Sequence, residues 1–294
     1  MRKIVRCFVL LVPLGACGQA APAKHFLWKV SGEKTHAWLL GSIHVARPDL
    51  YPLAPAIESA YAASKALVVE ADQDKGDPDR MKNLVVERGY YKEADPRPSA
   101  ERQQAARALA AKAGIPAPQA EVLKPWLLAL NASMMHLQKL GYDPKLGIDR
   151  HFMNAARAQG REIKELESAE FQIGLLSGFS EDLQALFVSS TLEELDQVGS
   201  KMGEIFETWK RGDPAALEAL VVTEGLAKKP EMAPLKAKLL DDRNVGMAAK
   251  VEDYLKSGEP HFVIMGAAHL LGERGVVELL RKKGLKVEQV ESRP

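Results

Sequence analysis

Three short apolar runs along this chain each lead into a side chain that can bind a proton or a metal. Trp38-Leu39-Leu40 runs into Gly41-Ser42-Ile43-His44, and Ala66-Leu67-Val68-Val69 ends on Glu70. Phe262-Val263-Ile264-Met265 passes through Gly266-Ala267-Ala268 to His269. Unbroken apolar runs of this length suit strands buried on both faces. After the third run, Gly272 and Gly275 frame the start of a helix carrying Val276, Val277, Leu279 and Leu280, with Gly284 at its C-cap. Leu285, Val287 and Val290 then form a closing strand. In open α/β sheets, ligands bind at the carboxyl ends of such strands.

The remaining pattern places most strands at the two ends of the chain. Phe26–Val30 and Ala37–Ile43 read as a β-hairpin around Ser31-Gly32-Glu33-Lys34. A short helix through Ile57, Ala60 and Tyr61 leads into the Glu70 strand. From about Asp79 to Leu140 the chain reads as helices broken at Pro96, Pro98, Gly114, Pro116 and Pro118, with a restart at Pro125-Trp126. Ile148–Gln159 is a helix with Asp149 near its start. Ile163–Leu166 is a short strand followed by Glu167, and residues 168–256 are mostly helical. The expected architecture is an α+β, α/β-like fold: one sheet built from strands at both ends of the chain, with a large helical insertion between them.

Charge changes this picture little. Lys and Arg number 40 against 39 Asp and Glu, a net charge of +1, which makes no electrostatic case for nucleic acid. The N-terminus changes it more. Arg2, Lys3 and Arg6 flank an apolar run from Cys7 to Leu14, followed by small residues, which is the order of a secretory signal peptide. Residues 1–20 are therefore read as a signal peptide and residues 21–294 as one domain. Leu14-Gly15-Ala16-Cys17 resembles a lipoprotein cleavage site that would leave lipidated Cys17 at the new N-terminus. Cleavage after Ala20 would instead leave a soluble protein. Both routes lead to the periplasm, the first to an outer-membrane lipoprotein attached to membrane only through Cys17. The exported part carries no cysteine beyond Cys17, hence no disulfide framework and no cysteine nucleophile.

His, Glu and His at three strand ends are a residue set from which mixed nitrogen and oxygen metal sites are built. His261 closes another Gly-x-x-His, but it precedes its strand and is read as incidental. Arg243 and Asn244 fall on a helix with the stripe Leu240, Met247, Val251 and Leu255. Spacing alone favours an Asn bonded to backbone and an Arg in a surface pair. The functional alternative aims both at a buried polar site, where Arg243 could meet a developing oxyanion. Glu167 and Gln172 sit at a strand-to-helix junction that capping explains. His25, His36, His136 and His151 lack such context.

Taken together, Gly41-Ser42-Ile43-His44, Val69-Glu70, Gly147-Ile148-Asp149, Leu166-Glu167, Arg243-Asn244 and Gly266-Ala267-Ala268-His269-Leu270-x-Gly272-x-x-Gly275 resemble the TraB/GumN family, across Phe26 to Val290. That family includes the membrane-anchored Tiki metalloproteases and is similar in fold to erythromycin-esterase-like enzymes and to a haem-binding lipoprotein. The resemblance implies His44, Glu70 and His269 as a metal or catalytic centre assisted by Arg243. The expected function is metal-dependent hydrolysis, with peptides favoured over other small substrates and Mn²⁺, Co²⁺ or Zn²⁺ as cofactor. Two alternatives stand beside it. One is a metal-free esterase-type hydrolase with His44 as general base. The other is a haem or small-ligand binding lipoprotein without turnover.

Overall fold

The computed structural model describes residues 24–224 and 229–292. The signal-peptide and Cys17 readings lie outside the described residues. Six strands form one mixed sheet: β1 (Lys24–Ser31), β2 (His36–Ser42), β3 (Ala66–Val69), β4 (Ile163–Glu165), β5 (His261–Gly266) and β6 (Lys286–Glu291). Their order is β4-β3-β5-β2-β1-β6. β2, β3, β4 and β5 run parallel, while β1 is antiparallel to both β2 and β6. The sheet thus joins early and late segments of the chain, with helices between them.

The two buried central strands read as the uninterrupted apolar runs that parallel pairing demands. β3 is Ala-Leu-Val-Val and every residue is buried; β5 is buried along its whole length. Helices cover both faces. α1 (Pro55–Ala62) packs against one, where Tyr61 meets the ring of Phe262 at 5.6 Å between centroids. Five helices follow α1: α2 (Pro78–Gly89), α3 (Ala100–Ala113), α4 (Ala117–Val122), α5 (Pro125–Lys139) and α6 (Ile148–Ala158). α6 joins α1 on its face through Phe152, 5.0 Å from Phe262. The segment between β4 and β5 carries α7 (Ala169–Ser177), α8 (Glu181–Glu194), α9 (Val198–Lys210), α10 (Pro214–Glu218), α11 (Ala233–Lys236) and α12 (Asp242–Lys256). α12 lies on the opposite face, where Tyr254 stacks on His261 at 4.9 Å. α13 (Val276–Lys282) connects β5 to β6.

The insertion builds a second hydrophobic core away from the sheet. Leu109 and Ala113 of α3, Trp126, Leu128 and Ala132 of α5, and Val188 of α8 form it. Among the described residues, no helix is long and apolar enough to cross a membrane.

The connections set the switch point of the sheet. β2 leads by way of α1 to β3, and β3 leads on to β4, so both connections move toward one edge of the sheet. β5 leads by way of α13 to β6 at the other edge. Adjacent strands β3 and β5 therefore send their chains in opposite directions. Such a switch point opens a crevice beyond the carboxyl ends of the strands. Glu70 and His269 follow those two ends.

Candidate functional site

The four residues singled out in sequence, His44, Glu70, Arg243 and His269, meet at this switch point. The point of convergence is Gly266, the last residue of β5. A Cβ built there would lie 3.1 Å from His44 Nε2, 3.5 Å from Glu70 Oε2 and 3.5 Å from His269 Cδ2. A methyl group would stand between the three groups, so glycine is the residue that leaves the centre open.

His44 is held by α6. Gly147 sits so close to it that a Cβ there would come within 2.4 Å of the His44 carbonyl oxygen. The Ile148 N–H donates to Ile43 O at 3.1 Å. These two contacts set the start of α6 against the end of β2, and Asp149 in its first turn reaches His44 Nδ1 at 3.1 Å. Nε2 is left facing Gly266. The side chain is 59% exposed. The protein packed around the ring lowers its pKa, but the hydrogen bond and charge of Asp149, with the charge of Glu70, prevail and push it up to about 9. Arg243 opposes them.

His269 is set differently. It is 4% exposed, and its Nδ1 lies 2.6 Å from Asn244 Oδ1. Asn244 Nδ2 donates to Arg274 O at 2.9 Å, which fixes the amide orientation and makes Oδ1 the acceptor. The proton of neutral His269 is thus on Nδ1, and the Nε2 lone pair points out at Glu70 Oε1, 3.8 Å away. Burial lowers its pKa to about 4; Glu70 opposes this, and Arg243 and His44 add to it.

Glu70 lies at the middle of a buried ionic cluster. Gly266 N–H donates to Oε2 at 3.1 Å, and Gln172 Nε2 donates to Oε1 at 2.9 Å. Arg243 Nη2 also donates to Oε1. Burial alone would raise the carboxyl pKa; the His269 and His44 imidazoles, Arg243 and the Gly266 N–H outweigh it and draw it down to about 2. At neutral pH, where His269 is uncharged, His44, Arg243 and the N–H supply the pull.

Arg243 is neither a surface pair nor a free donor aimed at substrate. Its Nε donates to Glu167 Oε1 at 3.0 Å, its Nη2 to Glu167 Oε2 at 2.7 Å, and its Nη1 to Leu239 O at 2.8 Å. With side chains 9–13% exposed, Glu70, Arg243 and Glu167 form a buried triad. The guanidinium is occupied in joining two carboxylates, which makes it a positioning group for Glu70.

Sequence reasoning left three contributors unassigned. Asp149 and Asn244 stand in the motifs Gly147-Ile148-Asp149 and Arg243-Asn244, and Asn244 is also a candidate for a buried polar site, but neither is given a partner; Gln172 is read as a capping neighbour. Asn244 does bond backbone, through Nδ2, while its Oδ1 orients His269. The signal that could have found Asp149 is Gly147-Ile148-Asp149: a glycine opening a helix marks a close approach, and its second helical residue is aimed by that approach.

Among the described residues, no three His, Cys, Asp or Glu side chains stand together at metal-ligand distances. The donor chemistry nevertheless suits a cation. Each histidine turns an Nε2 to the centre with its Nδ1 tied to an orienting partner, the usual second layer of a metal-bound imidazole. His269 Nε2 faces Glu70 Oε1, which also accepts from Gln172 and Arg243, across 3.8 Å.

The profile of the TraB/PrgY/gumN family matches residues 26–289. The chain is 26% identical over 269 residues to the uncharacterized protein YbaP of Shigella flexneri, covering 89% of this chain and 96% of that one. YbaP of Escherichia coli K12 matches over the same length at the same identity. No solved structure matches.

Proposed function

We propose that this chain, which belongs to the TraB/PrgY/gumN family, is a metal-dependent hydrolase acting on peptide bonds. The observation that carries the reading is the pair of imidazoles at neighbouring strand ends. Each is tied at Nδ1, by Asp149 or Asn244, and each turns Nε2 toward Glu70 at Gly266. Charge supports it as well. With both imidazoles neutral, the three carboxylates of Glu70, Asp149 and Glu167 face the single guanidinium of Arg243. Two negative charges are left over, which a divalent cation would balance. The field that lifts His44 toward 9 is the field such a cation would meet.

His44, His269 and Glu70 would hold Mn²⁺, Co²⁺ or Zn²⁺. The ion would supply Lewis acidity for hydrolysis at neutral pH. The protein's own part is orientation. Asn244 keeps the His269 Nε2 lone pair toward the centre, Asp149 does the same for His44, and Arg243 with Gln172 fixes the Glu70 carboxylate.

A second reading is metal-free hydrolysis with His44 as general base, which a ring pushed up to about 9 confines to alkaline pH. Asp149 holds His44 Nδ1 at 3.1 Å and so orients the ring for that role.

The test is metal analysis of residues 21–294 beside a peptide library screened with and without chelator. We expect about one divalent ion per chain, lost with activity in His269→Ala. Glu70→Gln should lower turnover by about 10²–10⁴-fold if Glu70 serves as the base. Activity that survives chelation and His269→Ala but not His44→Ala moves the protein to the second reading. Export is checked on the same chain taken from cells: an intact Met1 by mass spectrometry would contradict it, and membrane fractionation unchanged by Cys17→Ser would exclude the lipid anchor.

A further inference from the structure

Ser42 is 3% exposed, and its Oγ has no hydrogen-bond partner among the described residues. It is the last residue of β2, paired in register with Gly266 of β5. Paired residues of neighbouring strands point to the same face of the sheet, about 4.8 Å apart. The side-chain direction at Gly266 is the one leading to His44 Nε2, Glu70 Oε2 and His269 Cδ2. The Ser42 hydroxyl therefore stands one strand spacing from the point where the three groups meet, on their side of the sheet. No described residue hydrogen-bonds it. Alanine would fill the same buried strand position without stranding a polar atom.

We propose that Ser42 Oγ is the hydrogen-bonding contact for the water that attacks the substrate. This rests on the reading of His44, Glu70 and His269 as the reacting centre. The hydroxyl has two acceptor lone pairs and one proton, so it can take a hydrogen bond from the water or give one to it without leaving any partner unmatched. No bond to Ser42 forms or breaks; it places the oxygen and takes no part in proton or electron transfer. In the structure Oγ is closed to bulk solvent. The approach for an oxygen is past the edge of His44, which is 59% exposed and keeps its Nε2 over Gly266. Glu70 does not move in this account, because Gly266 N–H, Gln172 and Arg243 hold it from three sides.

The experiment pairs a crystal structure of the metal-loaded protein with kinetics and melting of Ser42→Ala and Ser42→Thr. In the wild type an ordered oxygen should lie within about 3.2 Å of Ser42 Oγ. Ser42→Ala should melt at the same temperature or higher and keep its metal. Its kcat should fall by about ten- to a hundredfold with KM unchanged, the loss of one hydrogen bond in the transition state. Ser42→Thr, which keeps the hydroxyl, should recover most of that loss. Full kcat in Ser42→Ala, or an Oγ bonded to main chain with no oxygen beside it, overturns the proposal. If His269→Ala keeps full activity, it is the reading of the centre that fails. The crystal structure then decides Ser42 alone: an oxygen held by Oγ retains it as a binding contact, and a dry Oγ removes it.

Discussion

The two sides of the centre place the same side chain in opposite states. On the β2 side, His44 is 59% exposed, bonded to a carboxylate and pushed up to about 9. On the β5 side, His269 is buried, bonded to an amide and pushed down to about 4. The imidazoles lie at neighbouring strand ends of one sheet. What separates them is the partner at Nδ1 and the depth of the ring. Asp149 offers a full charge that favours an imidazolium, whereas Asn244 offers only a carbonyl dipole in a dry setting where an imidazolium would be costly. The centre can thus hold a positive charge at one bank while keeping a neutral nitrogen donor at the other.

The strongest way to break this arrangement is to remove the cation that both banks share. Arg243 lies between Glu70 and Glu167 and opposes protonation of both histidines. In Arg243→Met two buried carboxylates would face each other without a counter-charge. Breaking a buried ion group by deleting one partner costs about 3–5 kcal/mol. Denaturant unfolding should show a loss of that size, and nitrogen-detected NMR titration should show the His269 pKa moving up. A variant as stable as the wild type would mean that the triad does not exist in solution.

Arg243 also marks how far the sequence could be read. The strand ends were legible because each is an apolar run closed by a polar residue, a pattern local to a few positions. Their convergence followed from parallel strands in one sheet. The state of Arg243 was not legible. Spacing put it beside the apolar stripe of α12 and favoured a surface pair, and only the arrival of Glu70 and Glu167 from two other strands buries it. The same holds for Asp149, 105 residues from the histidine it orients. In the insertion, Pro and Gly marked the helix ends, yet nothing local says that α3, α5 and α8 enclose a separate core around Trp126. Periodicity tells that a helix has an apolar face; it does not name the partner of that face.

A smaller effect should follow from making the two banks alike. Asn244→Asp would give His269 a carboxylate partner, as His44 has. In the wild type, His269 folds with its pKa below the ordinary 6.5. The unfolded chain then binds more protons between pH 6.5 and about 4, so stability is full above 6.5 and falls through that interval as acid is added. For a ring this buried a shift from 6.5 to about 4 makes the loss on the order of 3 kcal/mol. Glu70, drawn below 4.5 to about 2, continues the decline at lower pH, because its contribution is present above 4.5 and lost below it. In Asn244→Asp the His269 pKa should rise and the decline between pH 6.5 and 4 should flatten. An unchanged acid profile would show that Asn244 does not set the state of His269.

The smallest effect belongs to the exposed bank. His44 folds with its pKa raised from 6.5 to about 9, so its contribution has the opposite sign. The folded chain binds the extra proton. Stability is therefore full below pH 6.5 and is lost as pH rises from 6.5 to about 9. Water reaches more than half of the side chain and screens the pair with Asp149, so this limb should amount to less than about 1 kcal/mol. Asp149→Asn keeps the shape of the partner and removes its charge. The His44 pKa should fall back toward 6.5, and the shallow alkaline decline should vanish while the acid limb stays as it was. Loss of this orienting partner should also weaken metal binding by about 10–100-fold if His44 is a ligand. Unfolding curves at pH 6.5 and 9, run on both proteins with and without Zn²⁺, separate the two consequences. An alkaline limb that persists in Asp149→Asn would mean that a group other than His44 carries it, and the contrast between the banks would lose its exposed half.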